Sequence, residues 1–446
     1  MSYLLSRPKA FSFSVRIRLP HKDYLTLGGK VLHTFKNDLK LLSKYKQLFP
    51  LCFAVFVSML GFGLVMPLLP LYARDFGATG TQLGFLTASF AITRIITTFP
   101  GGWLADKVGR KTPVVVGLLA YSIVMTLYGF CQDVNQLILL RALQGTASGI
   151  VWPVISTMVA DITLPEDRGK AMGIYSSMWF LGMVVGPGIG GILADAFTEA
   201  VPFFFCGALA FLSMTLVASI VQETFKTRVN IEKSQVQKYT VKPNFTPSAK
   251  GNFLLTMTPY PRIFLGLCIA GVIVSFSSSL IQPVLSVFAQ EELGISKTGV
   301  GVLFSVMGAM TLITALPIGT VADRTGRKLM FIFGMIVAAI SAFLIILSGS
   351  FWPLLLVMML RGVGRSASNP SIIAMFSGLV PISRRGKGMG IFNGFRNVGL
   401  VLGSIIGGFI YEVASSELLF IACAFVSLVG VIIALLTVSE PKTELQ

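Results

Sequence analysis

A ten-residue pattern rich in charge and glycine occurs twice in this chain, with an offset of 217 residues. The first copy, GWLADKVGRK, runs from Gly102 to Lys111, and the second, GTVADRTGRK, runs from Gly319 to Lys328. Each copy lies where a long apolar run ends and another soon begins. A charged hairpin between two membrane-length helices is typical of a cytoplasmic loop in a membrane protein. The repetition indicates a fold made of one half-molecule used twice.

Twelve apolar stretches of roughly 20 residues are each long enough to cross the hydrocarbon core as a helix. The chain is 54% hydrophobic and only 12% charged, which places it in the membrane class. We therefore predict an all-α integral membrane protein with two pseudo-symmetric six-helix bundles, 48–222 and 263–438. The predicted spans are 48–73, 82–105, 113–132, 136–161, 170–195, 200–222, 263–289, 298–321, 329–349, 352–377, 388–411 and 417–438.

The positive charge of the chain is concentrated in one set of loops. Its 36 Lys and Arg residues against 19 Asp and Glu give a net charge of +17. Assigned to alternate loops, 29 of the cations fall on the side of both termini, 2 on the other side and 5 inside apolar runs. This asymmetry predicts that both termini are cytoplasmic, in a plasma or inner membrane. It indicates topology and not nucleic-acid binding.

Three polar segments flank the bundles: an N-terminal tail 1–47, a linker 223–262 and a C-terminal tail 439–446. The basic tail 1–47 has no apolar core of signal-peptide length. We interpret it as a cytoplasmic tail, with an organelle transit peptide as the alternative. The linker is polar and basic and is typical of a partly disordered cytoplasmic connection.

The sequence contains no signature of an enzyme. The five cysteines lie in apolar stretches without paired spacing, and both histidines lie in the N-terminal tail, so we expect no metal site and no cofactor. A phosphate-binding loop and a serine or cysteine with a histidine nearby are also missing from the sequence. An ATP-driven pump is excluded for the same reason.

Two further motifs accompany the repeated loop. The segment RALQG contains Arg141 and Gly145 in the fourth span. The segment GMVVGPGIGG in the fifth span supplies Gly182, Gly186, Pro187, Gly190 and Gly191. Together with the loop pattern, these motifs resemble those of the major facilitator superfamily, and the fifth-span motif resembles its drug–proton antiporter branch. The resemblance covers about residues 48–438 and implies a monomeric, alternating-access transporter of a small molecule, with protons as a possible second partner.

The charges of the repeated loop are candidates for a gate at the cytoplasmic face. A carboxylate at Asp106 can cap the positive start of a helix from the other half, and Asp323 can do the same by symmetry. Such contacts would form only when this face is closed; the alternative is that the charges anchor loops at the interface. The resemblance implies a gate of this kind, with Asp161 joining Arg110. The candidate residues are Gly102, Asp106, Gly109, Arg110, Lys111, Asp161, Gly319, Asp323, Gly326, Arg327 and Lys328.

The glycines of the fifth span allow a close approach to a neighbouring helix, and Pro187 frees a carbonyl and bends the helix. The resemblance implies a flexible, leak-tight interface between the halves. Ordinary packing of small residues is the alternative. The repeat keeps these glycines in the eleventh span but has Ser404 in place of Pro187.

Five arginines lie inside apolar spans, namely Arg94, Arg141, Arg361, Arg365 and Arg396. Charges in hydrocarbon are costly and usually face a cavity or a partner. Since no Asp or Glu falls in the middle third of any span, the central cavity should be net positive. This departs from the drug-antiporter pattern, which has a buried carboxylate. A positive cavity suits an anionic or zwitterionic solute, because arginine can donate two hydrogen bonds to a carboxylate or phosphate.

The substrate-binding candidates differ in how strongly the sequence supports them. Arg141 belongs to a motif, and we favour a structural role for it, bonded to backbone carbonyls; the same alternative applies to Arg361. Trp179, like Trp152, could stack on a planar solute, although packing is the commoner role of tryptophan in a span. The full set is Arg94, Arg361, Arg365, Asn369, Asn393, Arg396, Trp179 and Gln282.

Two transport hypotheses remain open. The first is a proton-coupled exporter of small organic or amphiphilic solutes, as the fifth-span motif implies. The second is an organic-anion uniporter or exchanger in which the arginines hold the substrate. A receptor or scramblase that uses the same fold without transporting a solute is a remote third hypothesis.

Overall fold

The computed structural model of the chain describes residues 41–224, 260–381 and 384–437. The segment Met1–Lys44 is a unit of its own, and its described residues 41–44 are helical. Most of the tail 1–47, most of the linker 223–262 and the tail 439–446 lie outside the described residues, so their predicted roles stay predictions. The long helices all belong to the second unit, Tyr45–Gln446.

Twelve long α-helices form the described part of this unit, so the all-α prediction is confirmed. Eleven of them are long and apolar enough to cross a membrane. The remaining helix, α10, has 29 residues and is less apolar because it contains Arg361, Arg365 and Asn369. In chain order the helices are α1 Leu48–Asp75, α2 Gly80–Val108, α3 Lys111–Tyr128, α4 Val134–Ile162, α5 Pro165–Ala196, α6 Val201–Ile220, α7 Pro261–Glu291, α8 Lys297–Thr325, α9 Arg327–Ile346, α10 Phe351–Leu379, α11 Arg385–Val413 and α12 Ser416–Thr437.

Local sequence signals define several helix starts. Thr79 forms a capping box at the start of α2, and Ser296 accepts a hydrogen bond from a backbone N–H in the first turn of α8. Both side chains satisfy N–H groups that a helix start leaves unpaired. The helix α5 begins at Pro165, before its predicted start at 170, because proline at the first helical position costs no hydrogen bond.

The sequence repeat recurs in the packing of the helices. In the first half α1 packs along α5, α2 along α4 and α3 along α6; in the second half α7 packs along α11, α8 along α10 and α9 along α12. Glycines allow α1 and α5 to approach closely, and likewise α7 and α11. An added Cβ would lie 2.3 Å from a carbonyl oxygen of α1 at Gly186 and 2.1 Å from a carbonyl oxygen of α7 at Gly407. The two bundles are therefore built in the same way.

Contacts between the halves show which helix ends share a face. Thr81 at the start of α2 is bonded to Glu412 at the end of α11. Thr298 at the start of α8 is bonded to Asp195 at the end of α5. The starts of α2 and α8 therefore share one face, which we call the opposite face. Their ends, which carry the two copies of the repeated loop, share the other face, which we call the motif face.

Candidate solute cavity and its closures

A cavity of about 750 Å³ lies between the two halves. The helices α2, α4 and α5 form one wall, and α7 and α11 form the other. The cavity lies toward the motif face, since its lining extends to Phe99 on α2 and to Gly390 near the start of α11. Its volume suits a small organic molecule. The polar and aromatic side chains that line it include Arg94, Ser148, Trp152, Ser156, Tyr175, Trp179, Ser275, Asn393, Arg396 and Asn397.

Each wall of the cavity contributes one arginine. The guanidinium of Arg94 lies 5.5 Å from the ring centroid of Trp152 and donates a 3.5 Å hydrogen bond to Oδ1 of Asn397 in the other half. Arg396 donates a 2.7 Å hydrogen bond to Oδ1 of Asn369, which thus positions it. A guanidinium has five N–H donors. Both arginines therefore retain donors for a solute.

Aromatic side chains cover the wall of the N-terminal half. Trp152 and Trp179 pack edge to face with ring centroids 5.1 Å apart, and Tyr175 lies 6.3 Å from Trp179. Nε1 of Trp152 and Oγ of Ser148 are buried and have no hydrogen-bond partner among the described residues. Both residues line the cavity, so a bound solute could satisfy these two polar atoms. Sequence reasoning did not select Ser148, although it lies one helical turn before Trp152.

A second, smaller cavity of about 50 Å³ lies where α7 meets α10. Arg361 and Arg365 line it, together with Gln282 and Ser278 of α7. The predicted substrate residues therefore divide between two cavities and do not form a single site, and Asn369 lines neither cavity but bonds to Arg396. The structural alternative for Arg361 finds no support, since its buried Nη1 has no partner in the described part of the chain and no bond from its guanidinium to a backbone carbonyl is seen there.

Neither cavity is lined by a carboxylate of the described residues. The Asp and Glu residues within the described ranges lie near helix ends or in the connections between helices. The cationic groups in the two cavities thus have no acidic partner there. This is the net positive interior that the sequence predicts.

The motif arginine Arg141 lines neither cavity. Its guanidinium donates a 2.6 Å hydrogen bond to Oε1 of Gln144 and lies 4.5 Å from the ring centroid of Phe90. A structural role fits this position, but the partner is a side-chain amide and not a backbone carbonyl. Gly145 lets α4 pack on α2, since an added Cβ would lie 2.4 Å from the carbonyl oxygen of Phe90.

The first copy of the repeated loop is bound by two acids that lie outside the loop itself, Asp161 and Glu223. The buried Arg110 forms an ion pair with Asp161 of α4 and lies 3.5 Å from Asp106. Glu223, which sequence reasoning missed, accepts a 2.8 Å hydrogen bond from the backbone N–H of Arg110. At Gly109, φ is 100° and an added Cβ would lie 2.5 Å from a carboxylate oxygen of Glu223, so a glycine is required.

The second copy lacks one of these acids. Arg327 lies 3.5 Å from Asp323. The position equivalent to Asp161 is Gly378, and Arg327 donates a 3.3 Å hydrogen bond to the carbonyl oxygen of Ala374 instead. Arg327 is 45% exposed, whereas its counterpart in the first copy is 5% exposed. The first copy is therefore the more firmly anchored.

The motif face is open in this structure. Asp106 and Asp323 are 65% and 69% exposed, and within the described residues neither is bonded to the other half. An added Cβ at Gly102 or Gly319 would meet nothing within 4 Å. The contacts that we expect with the starts of α11 and α5 require a closed motif face. The gate role of these residues therefore stays a prediction.

The opposite face is closed, and an ion pair contributes to its closure. Arg74 at the end of α1 donates two hydrogen bonds of 2.8 Å to the carboxylate of Glu291 at the end of α7. Tyr411 donates a further 3.5 Å bond to the same carboxylate. The pair of Arg74 and Glu291 joins the two halves, and Tyr411 supports Glu291 from within the second half.

Two equivalent acid-to-helix contacts complete this closure. The backbone N–H of Thr81 donates to Glu412 at 2.8 Å, and that of Thr298 donates to Asp195 at 2.7 Å. Each threonine is the second residue of its helix, where N–H groups lack helical partners. The acids are 217 residues apart, and so are the threonines. Sequence reasoning gave these acids no role, although the shared offset was a signal that could have identified them.

The fifth-span glycines have two kinds of neighbour. Gly182, Gly186 and Gly190 pack against α1 in their own half. Gly191 faces the other half, and an added Cβ there would lie 2.4 Å from a carbonyl oxygen at the start of α8. Packing within a bundle therefore accounts for three of these glycines, and close contact between the halves accounts for Gly191.

Comparisons with known proteins agree with this architecture. The model of the Major Facilitator Superfamily matches residues 51–266 and 267–446. The chain is 28% identical over 393 residues to Quinolone resistance protein NorA of Staphylococcus aureus, covering 88% of this chain and 96% of NorA. It is 28% identical over 394 residues to Multidrug resistance protein 2 of Bacillus subtilis strain 168, covering 88% and 95% of the two chains.

Solved structures show the same fold. The nucleoside transporter NupG aligns with a TM-score of 0.73 at 14% identity, over 88% of this chain and 100% of NupG. A bacterial homologue of the human lysosomal transporter Spinster, in an inward-facing and unoccupied conformation, aligns with a TM-score of 0.67 at 14% identity, over 88% and 95%. With most of its length matched by the family model, the chain is a multi-pass membrane transporter that belongs to the Major Facilitator Superfamily.

Proposed function

We propose that this transporter exports small aromatic organic anions, or zwitterions that carry a carboxylate, by alternating access. The observation that carries the proposal is the large cavity between the halves. Arg94 and Arg396 lie on its two walls, aromatic rings cover one wall, and no described carboxylate lines it.

The charges of the cavity favour an anionic group on the solute. A guanidinium held in a low-dielectric site gains most from a negatively charged partner. Because Arg94 and Arg396 come from different halves, a carboxylate between them would also connect the halves during the transport cycle. A cationic solute would meet only like charges in this cavity.

The aromatic wall favours a planar ring system. Rings can stack on Trp179 or Tyr175, and the unpaired Nε1 of Trp152 can donate to an acceptor on the solute. The named relatives are resistance proteins, one of them for quinolones, which are planar aromatic acids. A quinolone is therefore a suitable first probe.

The direction of transport follows from the orientation that we propose. The motif face carries most of the basic loop residues and would be cytoplasmic by the positive-inside rule. The structure, open at the motif face, would then correspond to the state that loads solute from the cytoplasm. This orientation supports export.

The gate that we propose uses the same interaction at both faces. At the opposite face, Asp195 and Glu412 each bind the start of a helix from the other half. We propose that Asp106 and Asp323 do the same for α11 and α5 when the motif face closes. The two sets of contacts would form alternately, and each would stabilise one end state.

Proton-coupled export of neutral or amphiphilic solutes is the second candidate function. The similarity to multidrug and quinolone resistance proteins over 88% of the chain favours it. In this case the described cavity supplies no carboxylate to take the proton. The coupling group would then lie nearer a helix end, where the described acids are.

Uptake into proteoliposomes tests both functions. A quinolone carboxylic acid is compared with its neutral methyl ester, in wild type and in the variants Arg94→Gln and Arg396→Gln. Arg384→Gln, an exposed arginine outside the cavity, is the matched control. We expect wild type and the control to transport the acid but not the ester, and each cavity variant to lose about tenfold or more in apparent affinity, as for loss of a charged hydrogen bond.

Other outcomes separate the alternatives. Equal transport of acid and ester, collapsing with a proton ionophore, would overturn the anion proposal and favour proton-coupled export. Another outcome is transport of the quinolone acid that persists with the ionophore and accelerates when the same quinolone acid is present on the opposite side of the membrane. That result indicates exchange. Binding without flux in any condition would contradict both transport functions.

A further inference from the structure

We propose that the small cavity between α7 and α10 is a binding site for a small inorganic anion of the size of chloride. This site is separate from the organic-solute cavity, and it takes a different ligand. The inference therefore extends beyond the proposed function and does not depend on it.

The two arginines of this cavity require a counter-charge. Arg361 and Arg365 lie one helical turn apart on α10 and so repel each other. Neither can lose its proton to relieve the repulsion, because a guanidinium stays protonated in proteins. Within the described ranges no Asp or Glu lines the cavity. Charges inside a membrane protein are normally paired, so an anion from outside the chain is the partner that remains.

Several donors of the residues that line this cavity lack a hydrogen-bond partner among the described residues. Nη1 of Arg361 is buried and has no partner in the described part of the chain. The hydroxyl of Ser278 and the amide of Gln282 also line the cavity, and no hydrogen bond within the described residues engages them. By contrast, the hydroxyls of Ser277 and Ser368 are bonded to neighbouring groups. The cavity thus presents guanidinium, hydroxyl and amide donors without an acceptor of matching charge.

The volume of the cavity selects a small ligand. About 50 Å³ is too little for an aromatic acid but sufficient for a single halide ion. Water would fit too, but it cannot neutralise two guanidinium groups. Apart from Ser277 and Ser368, whose hydroxyls are already bonded, the rest of the lining is apolar, with Met66, Phe304 and Met307 among it, and offers no partner to a larger oxyanion.

Thermal unfolding of the purified full-length protein tests the proposal. Sodium gluconate is replaced stepwise by sodium chloride at constant ionic strength, without any organic substrate. A ligand that binds only the folded state raises the Tm with a saturable dependence on its concentration. We expect such a rise in wild type, its loss in the double variant Arg361→Gln/Arg365→Gln, and its retention in Arg94→Gln, which alters only the large cavity.

A second variant keeps the test decisive if the double variant does not fold. Gln282→Glu places a carboxylate in the same cavity and supplies the counter-charge from the chain itself. We expect it to have a higher Tm than wild type in gluconate and no further rise with chloride. Bromide used in place of chloride should give one anomalous scattering peak between Arg361 and Arg365 in a crystal.

Several results would overturn the proposal. They are no chloride-dependent rise in wild type, an undiminished rise in the double variant or in Gln282→Glu, and a bromide peak in the large cavity. Direct competition between chloride and the organic acid would also overturn it, since it would place both ligands in one site. Failure of organic-acid transport with a normal chloride response would contradict the proposed function alone.

Discussion

Arg74 donates two 2.8 Å hydrogen bonds to Glu291, and the two residues are separated by 217 positions, the offset of the sequence repeat. The bond therefore joins equivalent positions of the two halves. Under a two-fold pseudo-symmetry, such a pair lies on the axis. Closure of the opposite face is thus centred on one ion pair that the repeat itself brings together.

Breaking this pair should favour opening of the opposite face. Both side chains are partly exposed, at 34% and 39%. We therefore expect Arg74→Gln to destabilise the closed state of the opposite face by about 1 kcal/mol, which shifts the equilibrium between its closed and open states about fivefold. The distance between spin labels at Gln132→Cys and Gly349→Cys should lengthen in Arg74→Gln. The charge-swap variant Arg74→Glu/Glu291→Arg should restore the distance of the wild type. If the distance in this variant is as long as in Arg74→Gln, the ion pair does not stabilise closure.

The two acid-to-helix contacts should contribute equally to the stability of the closed opposite face. Asp195→Asn and Glu412→Gln each weaken one charged hydrogen bond to a helix start. We expect each change to destabilise the closed state of the opposite face by about 0.5–1 kcal/mol. The double variant should show roughly the sum, since the two contacts share no partner. The same spin-label pair measures the effect. A single variant that opens the face as far as the double variant would contradict this symmetry.

Asp106→Asn should act only on the state with a closed motif face. In the open state this side chain is 65% exposed and Arg110 is its one charged partner among the described residues, so removing its charge should leave that state nearly unchanged. Labels at Leu164→Cys and Gly378→Cys should show a smaller closed population, and Asp323→Asn should behave similarly. An unchanged closed population in both variants would leave these acids as loop anchors.

Gly408→Ala should prevent tight closure of the opposite face. The added Cβ would lie 2.1 Å from the carbonyl oxygen of Gly80 across the interface between the halves. We expect a cost of ~1–3 kcal/mol to the closed state, seen as a longer distance between labels at positions 132 and 349. Gly386→Ala is the control on the same helix, because its Cβ meets nothing within 4 Å. Equal effects of the two changes would contradict the steric explanation.

The native cysteines should give little background in thiol labelling. All five are free and buried. Burial raises the pKa of Cys131, in the connection between α3 and α4, to about 11. Since the thiolate is the reactive form, its labelling should be very slow at pH 7 and should accelerate as the pH rises toward 11. Fast alkylation of the wild type at pH 7 would contradict the burial of this thiol.

Much of the fold could be predicted from the sequence, because each membrane-spanning helix requires a long apolar stretch of residues. The repeat then relates one half of the chain to the other. Arg94, Arg396, Asn393 and Trp179 could be selected for a similar reason. Polar or bulky residues inside an apolar span need a cavity or a partner, and these four line the large cavity.

Other features depended on relationships that single residues do not reveal. Arg361 and Arg365 carry the same signal as Arg396 but line a different cavity, since that is decided by the packing of α7 on α10. The role of Asp195 and Glu412 in closing the opposite face becomes clear only when each acid is seen next to the helix start that it binds in the other half. The open motif face is one of the two states of the transport cycle that we propose for this sequence, so composition and spacing cannot specify it.

The absence of acids from the described lining of the large cavity has an electrical consequence. In the transport cycle that we propose, Arg94 and Arg396 keep their charge while access changes from one face to the other, so the empty protein would rearrange uncompensated cations within the membrane field. Each elementary charge that crosses the full field is worth about 2.3 kcal/mol per 100 mV. The return of the unloaded carrier should therefore depend on voltage, and a bound monovalent anion should reduce that dependence.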